Sequence, residues 1–159
     1  MSNTQLRLQT VQKATRLFLL ITGILLLLFA LSADWLGLDV TPGFGILQMV
    51  SLLIGISCLT LALFLWLKFR RPADATKSLQ ADIGWRLAAT GLLFVYVTGL
   101  ADLIGIGTHV EPEFIRPFLG PLQLAGFALG GVTILIGAYL YHSSRGRRDS
   151  SSMEFLIKE

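Results

Sequence analysis

The stretch VTPGFGILQMVSLLIGISCLTLALFLWL, residues 40–67, contains no charged residue and no histidine. A helix needs about 20 mostly apolar residues to cross the hydrocarbon core of a bilayer, so this stretch is long enough for one crossing. Residues 17–33, 87–101 and 117–141 also lack charge and histidine, and residues 87–101 reach full length only if their helix begins near Ile83. The sequence therefore predicts four transmembrane helices.

The composition is that of a protein whose solvent is lipid. Of its 159 residues, 53% are hydrophobic and only 14% are charged, with a mean hydropathy of +0.69. A soluble domain usually carries about 25% charged residues, and too few polar residues remain here to cover the outside of a soluble helical domain. We therefore predict an all-α integral membrane protein.

The basic residues predict how the chain crosses the membrane. Of 13 Lys and Arg residues, Arg116 alone lies between the third and fourth stretches, and the others lie before the first, between the second and third, or after the fourth. This distribution matches the positive-inside rule. We predict a multi-pass plasma-membrane protein with both termini cytoplasmic. The pI of about 9.4 then reflects topology and anionic headgroups, and we expect no nucleic-acid partner.

Two halves of the chain resemble each other in order, which predicts a duplicated helical hairpin. A shift of 68 residues aligns Thr22-Gly23 with Thr90-Gly91 and Ala33-Asp34 with Ala101-Asp102; a shift of 75 aligns Gly45, Gln48 and Gly55 with Gly120, Gln123 and Gly130. We expect one membrane domain over residues 1–159, a compact four-helix bundle. Its hairpins cover about residues 15–70 and 83–145, flanked by a short cytoplasmic N-terminal segment and a C-terminal tail. The pattern gives the general impression of a small bacterial inner-membrane protein, which implies no activity.

Small residues recur at intervals of four in the second and fourth stretches. Ser51-xxx-Gly55 and Gly126-xxx-Gly130 are patterns that let helix backbones approach closely, where lipid provides no hydrophobic drive for association. We expect these faces to pack within the chain; the alternative is that they dock another subunit.

Asp34 and Asp102 stand at the outer ends of the first and third predicted helices. A carboxylate there faces the negative end of a helix dipole and needs compensation. We expect each aspartate to accept hydrogen bonds from free backbone N–H groups at the start of the next helix, around Gly43 to Gly45 and around Phe118 to Gly120. In the alternative, the two carboxylates form a cation or ligand site.

Few residues are suited to metal or cofactor binding. His109, Glu111 and Glu113 carry metal-ligating atoms in the outer loop, but Pro112 interrupts their spacing, and we favour a solvated or partner-contacting loop. Gln48, Gln123 and His142 are weak candidates for ligating a pigment magnesium or hydrogen bonding a quinone; the glutamines are more often interhelical hydrogen-bond partners. We predict no cofactor, and the single cysteine, Cys58, excludes chemistry based on paired thiols.

These observations favour a noncatalytic accessory or scaffold subunit of a larger integral membrane complex. No nucleophile, base and orienting group can be assembled from the spacing, so we do not expect an enzyme. The expected partners are membrane lipids and other integral membrane subunits, or a second copy of the chain. Two alternatives stay open: a small oligomeric channel or carrier for a neutral or hydrophobic solute, and a lipid-, quinone- or pigment-binding membrane module.

Overall fold

The protein is all-helical over the residues that the computed structural model describes, which are 3–32, 45–70, 78–101 and 120–144. Its helices are α1 (Asn3–Ser32), α2 (Ile46–Phe69), α3 (Leu79–Gly99) and α4 (Pro121–Ser143). None of the described residues forms a strand. The predicted all-helical class is therefore confirmed, and four helices form within the described ranges.

Among the described residues, three segments are long and apolar enough to cross a membrane: Gln9–Ser32 within α1, the whole of α2, and the whole of α4. Helix α3 is shorter, at 21 residues, and its first two turns contain Asp82 and Arg86. These two side chains form an exposed ion pair of 2.9 Å, one helical turn apart. With these charges near its start, α3 is not among the three segments, so its role as a fourth span stays a prediction.

The helices associate as two antiparallel pairs. Helix α1 packs along α2, and α3 packs along α4, which gives the two predicted hairpins a physical counterpart. The contacts between hairpins are smaller, and they run from α2 to both α3 and α4. Helix α1 makes extensive contacts only with α2, so among the described helices it lies at the edge.

The buried core lies where α2 meets the second hairpin. Met49 and Leu53 of α2 pack with Val95 of α3 and Ile134 of α4. Nearer the other end of these helices, a second buried cluster comprises Phe64, Leu67, Ala88 and Ala138. Both clusters draw on α2, α3 and α4, which explains why these three helices hold together while α1 is peripheral.

Candidate functional site: helix contacts and a cavity at one end

The two helices of the second hairpin approach until their backbones touch. A Cβ atom added at Gly137 would lie 2.5 Å from the carbonyl oxygen of Gly84, and one added at Gly130 would lie 2.8 Å from that of Gly91. No side chain fits at such distances, because the obstructing atoms belong to the opposing main chain and cannot rotate away. Glycine is therefore required at both crossings, and the contact between α3 and α4 depends on it.

The first hairpin repeats one of these crossings with a little more space. A Cβ atom added at Gly55 would lie 3.2 Å from the carbonyl oxygen of Gly23. Gly23 and Gly55 are the residues that the repeat aligns with Gly91 and Gly130, so the aligned pairs meet in both hairpins. The contact of Gly84 with Gly137 has no such counterpart in the first hairpin. The repeat aligns these two glycines with Arg16 and Ala62.

The remaining members of the small-residue patterns are Ser51 and Gly126, which the repeat aligns with each other. Gly126 lies against the side chain of Thr98, whose Cγ2 would be 2.5 Å from an added Cβ atom. Ser51 is buried, and its hydroxyl donates to the backbone oxygen of Leu47 at 2.7 Å. Both patterns thus lie on helix faces that pack inside the chain.

Gln48 and Gln123 cap the helices on which they lie. The backbone N–H of Gly45 donates to Oε1 of Gln48 at 2.6 Å, and that of Gly120 donates to Oε1 of Gln123 at 2.7 Å. Both glycines have φ −79° and ψ 163°, so the two helix starts have the same geometry. A glutamine three residues after the residue preceding a helix is half of a capping box. The spacing Gly-x-x-Gln was the signal for this arrangement in the sequence.

These caps bear on two expectations. Of the N–H groups that we expected the aspartates to bind, around residues 43–45 and 118–120, those of Gly45 and Gly120 donate to the glutamines. Asp34 and Asp102 lie outside the described residues, and their role stays a prediction. The hydrogen bond that Oε1 of each glutamine accepts from the preceding glycine is local to its own helix start, and Nε2 of Gln123 is buried without a hydrogen-bond partner among the described residues.

The other sequence-based candidates are scattered. His142 is exposed in the last turn of α4, away from both glutamines at the opposite helix ends. His109, Glu111 and Glu113 lie outside the described residues. Within the four described ranges, no three His, Cys, Asp or Glu side chains come together as a metal site would require.

A cavity of about 760 Å³ opens where α2 ends and α3 begins. Its wall on α2 consists of residues at helical spacing, and its wall on α3 consists of the first two turns. The lining residues are Leu61, Phe64, Leu65, Lys68, Ser78, Leu79, Ala81, Asp82, Trp85 and Tyr141. Sequence reasoning did not find this cavity, because it depends on how far apart α2 and α3 lie.

Aromatic rings form one side of the cavity. Phe64 is buried, and its ring meets those of Trp85 and Tyr141 edge to face, at centroid distances of 4.9 and 5.4 Å. Such arrangements match the positive ring edge to the negative ring face. The three rings come from α2, α3 and α4, so they join both hairpins at this end of the molecule.

Two polar contacts add to the packing. The hydroxyls of Ser57 on α2 and Tyr96 on α3 are 2.9 Å apart and share a hydrogen bond between the hairpins. Within the second hairpin, Nε2 of Gln80 donates to Oγ of Ser143 at 2.8 Å. Hydrogen bonds between membrane helices are each worth about 0.6 kcal/mol on average, so these contacts orient the helices more than they stabilise them.

No protein-family model, no curated protein and no solved structure matches this chain. Its function is therefore inferred from the helix faces and the cavity.

Proposed function

We propose that this chain is a multi-pass protein of the plasma membrane, with both termini in the cytoplasm, that serves as a noncatalytic accessory or scaffold subunit of a larger membrane assembly. The observation that carries this proposal is the uncovered apolar face of α1. Only 11% of the most apolar part of α1 is buried, against 39% for α2. A helix so apolar and so little covered needs either lipid or another apolar helix against it.

The uncovered face has the geometry of a helix-packing surface. Ile21, Leu25 and Leu28 recur at intervals of four and three, and they are exposed by 47%, 60% and 57%. Intervals of three and four place side chains on one stripe, which is the pattern that packs against a second helix in bundles. The residues that face α2, including Gly23, lie on the other side of α1.

The hairpin holds this stripe in a fixed orientation. Gly23 and Gly55 bring α1 and α2 into close contact, and α2 is in turn packed into the second hairpin. A stripe on a firmly packed helix can bind a partner without first becoming ordered, which lowers the entropic cost of association. We infer that the partner is an apolar transmembrane helix of another subunit, with lipid covering the rest of the surface.

A channel or carrier has less support. The acceptor oxygens of Gln48 and Gln123 are engaged in helix caps, and the hydroxyl of Thr90 bonds the backbone oxygen of Arg86. The space between α2 and the second hairpin is filled by apolar side chains, among them Met49 and Val95. Polar groups along a shared path, which a solute would need, are therefore not lined up in the described helices.

The test compares two matched triple variants expressed in the native membrane. One replaces Ile21, Leu25 and Leu28 with alanine; the control replaces Leu129, Val132 and Ile136 of α4, which are exposed by 57%, 52% and 48%. Each protein is extracted in mild detergent and analysed on native gels with mass spectrometry. We expect the wild type and the α4 variant to migrate with a larger complex and the α1 variant to migrate alone.

Two results would contradict the proposal. The first is a wild-type protein that migrates alone or only with copies of itself. The second is equal loss of the complex in both triple variants, which would mean that the α1 stripe has no special role.

A further inference from the structure

We propose that the cavity between α2 and α3 binds a phospholipid with an anionic headgroup. In this arrangement Lys68 binds the lipid phosphate at the mouth, and one acyl chain lies deeper, beside Leu61, Phe64 and Trp85. The inference rests on the proposed membrane placement of the helices but not on the existence of a partner subunit. The lipid would come from the leaflet nearest the end of α2.

The cavity has a polar mouth and an apolar interior. Lys68 lies in the last turn of α2, and Ser78 and Asp82 lie at the start of α3. Leu61 lies about two turns further in than Lys68, and Trp85 about two turns further in than Ser78. Seven residues of helix separate Leu61 from Lys68, which corresponds to about 10 Å along the helix axis. This polarity gradient runs in the same direction as that of a membrane leaflet, from headgroup to acyl chain.

The charge at the mouth favours an anion. Lys68 has no carboxylate partner among the described residues, whereas the carboxylate of Asp82 is paired with Arg86 at 2.9 Å. Among the described residues at the mouth, the charge without an ion-pair partner is therefore positive. Ser78 lines the same opening, and its hydroxyl makes no capping bond to α3, so it is available as a second donor.

The interior favours a hydrocarbon chain over a soluble anion. The wall is formed largely by leucine and aromatic side chains, and Trp85 remains 45% exposed although it contacts Phe64. A volume of about 760 Å³ lies within the usual range of small-molecule sites, about 300 to 1,000 Å³. Free phosphate would use only the mouth and leave this apolar surface uncovered.

The test measures lipid binding to the full chain in detergent. The purified, delipidated protein is titrated with phosphatidylglycerol or with phosphatidylcholine of the same acyl chains, and native mass spectrometry follows the first bound lipid. We expect phosphatidylglycerol to bind more tightly. Lys68→Gln should weaken its binding about fivefold, the factor for one lysine contact with anionic lipid, and should leave phosphatidylcholine unchanged. Lys68→Arg should retain the preference.

Two controls separate this site from general surface charge. Lys13→Gln removes an exposed lysine of α1 that does not line the cavity, and we expect it to leave binding unchanged. Phosphatidylglycerol with brominated acyl chains should quench tryptophan fluorescence in the wild type more than in Trp85→Phe. Glycerol phosphate, which has the headgroup charge without acyl chains, should compete poorly.

Equal binding of the two lipids, equal effects of the two lysine variants, or no quenching of Trp85 would each overturn the proposal. So would competition by glycerol phosphate at the affinity of the lipid. If the lipid measurements contradict the site while the α1 triple variant still migrates without the larger complex, only the proposed lipid site is wrong. If the lipid binds and no complex is recovered, the accessory role alone is wrong.

Discussion

Single side chains set the starts of α2 and α4. In each case a glutamine near the helix start turns back to bind the N–H of the glycine that precedes the helix. A helix start exposes backbone donors, and in an apolar environment such donors need acceptors. Gln48 and Gln123 are buried, at 4% and 7% exposed, and the hydrogen bonds that they accept are partly buried. This local role accounts for their recurrence in both hairpins without a cofactor.

The cap of α4 is expected to contribute measurably to stability. Gln123→Met keeps the size of the side chain and removes the acceptor for the N–H of Gly120. We expect the free energy of unfolding in mixed detergent micelles to fall by about 1 kcal/mol. Because Nε2 has no partner among the described residues, the substitution removes one hydrogen bond there, and the loss of a buried unpaired amide N–H group offsets part of its cost. Gln12→Met, at an exposed position of α1, serves as the control and should stay within about 0.5 kcal/mol. Equal effects of the two substitutions would argue against the cap.

At the scale of the elements, both hairpins contain the same kind of glycine contact between their two helices, but the distance between the helices differs. Gly91 and Gly130 meet more closely than Gly23 and Gly55, and α3 and α4 add the contact of Gly84 with Gly137. Close backbone approach increases van der Waals contact, the main attraction between helices in lipid. The second hairpin is therefore the more tightly packed of the two.

This difference predicts unequal effects of the same substitution at aligned positions. At Gly130 an added Cβ atom would lie 2.6 Å from Cγ2 of Val95 and 2.8 Å from the oxygen of Gly91, so Gly130→Ala should lower stability by about 2 kcal/mol. At Gly55 the nearest atom, Cγ of Leu27, is 3.1 Å away and can shift, so Gly55→Ala should cost less than about 1 kcal/mol.

Gly131→Ala is the control for these measurements, because nothing lies within 4 Å of an added Cβ atom. It should be neutral or slightly stabilising, since alanine favours a helix over glycine. All three variants are compared by denaturant titration in the same micelles. A loss at Gly55 as large as that at Gly130 would contradict the difference in packing between the hairpins.

At the scale of the whole molecule, α2 is the helix through which the first hairpin contacts the second. It pairs with α1 along one face and contributes Met49 and Leu53 to the core that it forms with α3 and α4. The hydrogen bond between Ser57 and Tyr96 lies at this junction. The uncovered face of α1 and the cavity beside α3 both follow from the position of α2.

The hydrogen bond between Ser57 and Tyr96 is expected to contribute only a small coupling energy between the two hairpins. In a double-mutant cycle with Ser57→Ala and Tyr96→Phe, we expect a coupling energy of about 0.6 kcal/mol, the average for hydrogen bonds between membrane helices. Thr133→Val is the control, because the hydroxyl of Thr133 bonds Leu129 within its own helix. The free energy of unfolding of each variant is measured in mixed micelles. Strictly additive effects of the two substitutions would show that the hydroxyls do not interact across the hairpins.

The sequence could predict the features that depend on neighbouring residues. Long charge-free stretches predicted helices, and the order of Thr, Gly and Gln along the chain predicted the hairpin repeat. The spacing Gly-x-x-Gln also contained the caps, although we first assigned those backbone donors to Asp34 and Asp102. Each of these signals lies within a few turns of one helix, where local geometry is fixed by covalent connection and helical periodicity.

By itself, the sequence determined that the described part of this protein is helical, where its four long helices lie, and that glycines stand where helices can meet. Tertiary structure alone decided that Gly84 meets Gly137, that α2 rather than α1 joins the hairpins, and that a cavity opens beside Lys68. These features depend on distances between helices that are far apart along the chain. Such distances are set by how whole helix surfaces fit together, and that fit is not encoded in any short stretch of sequence.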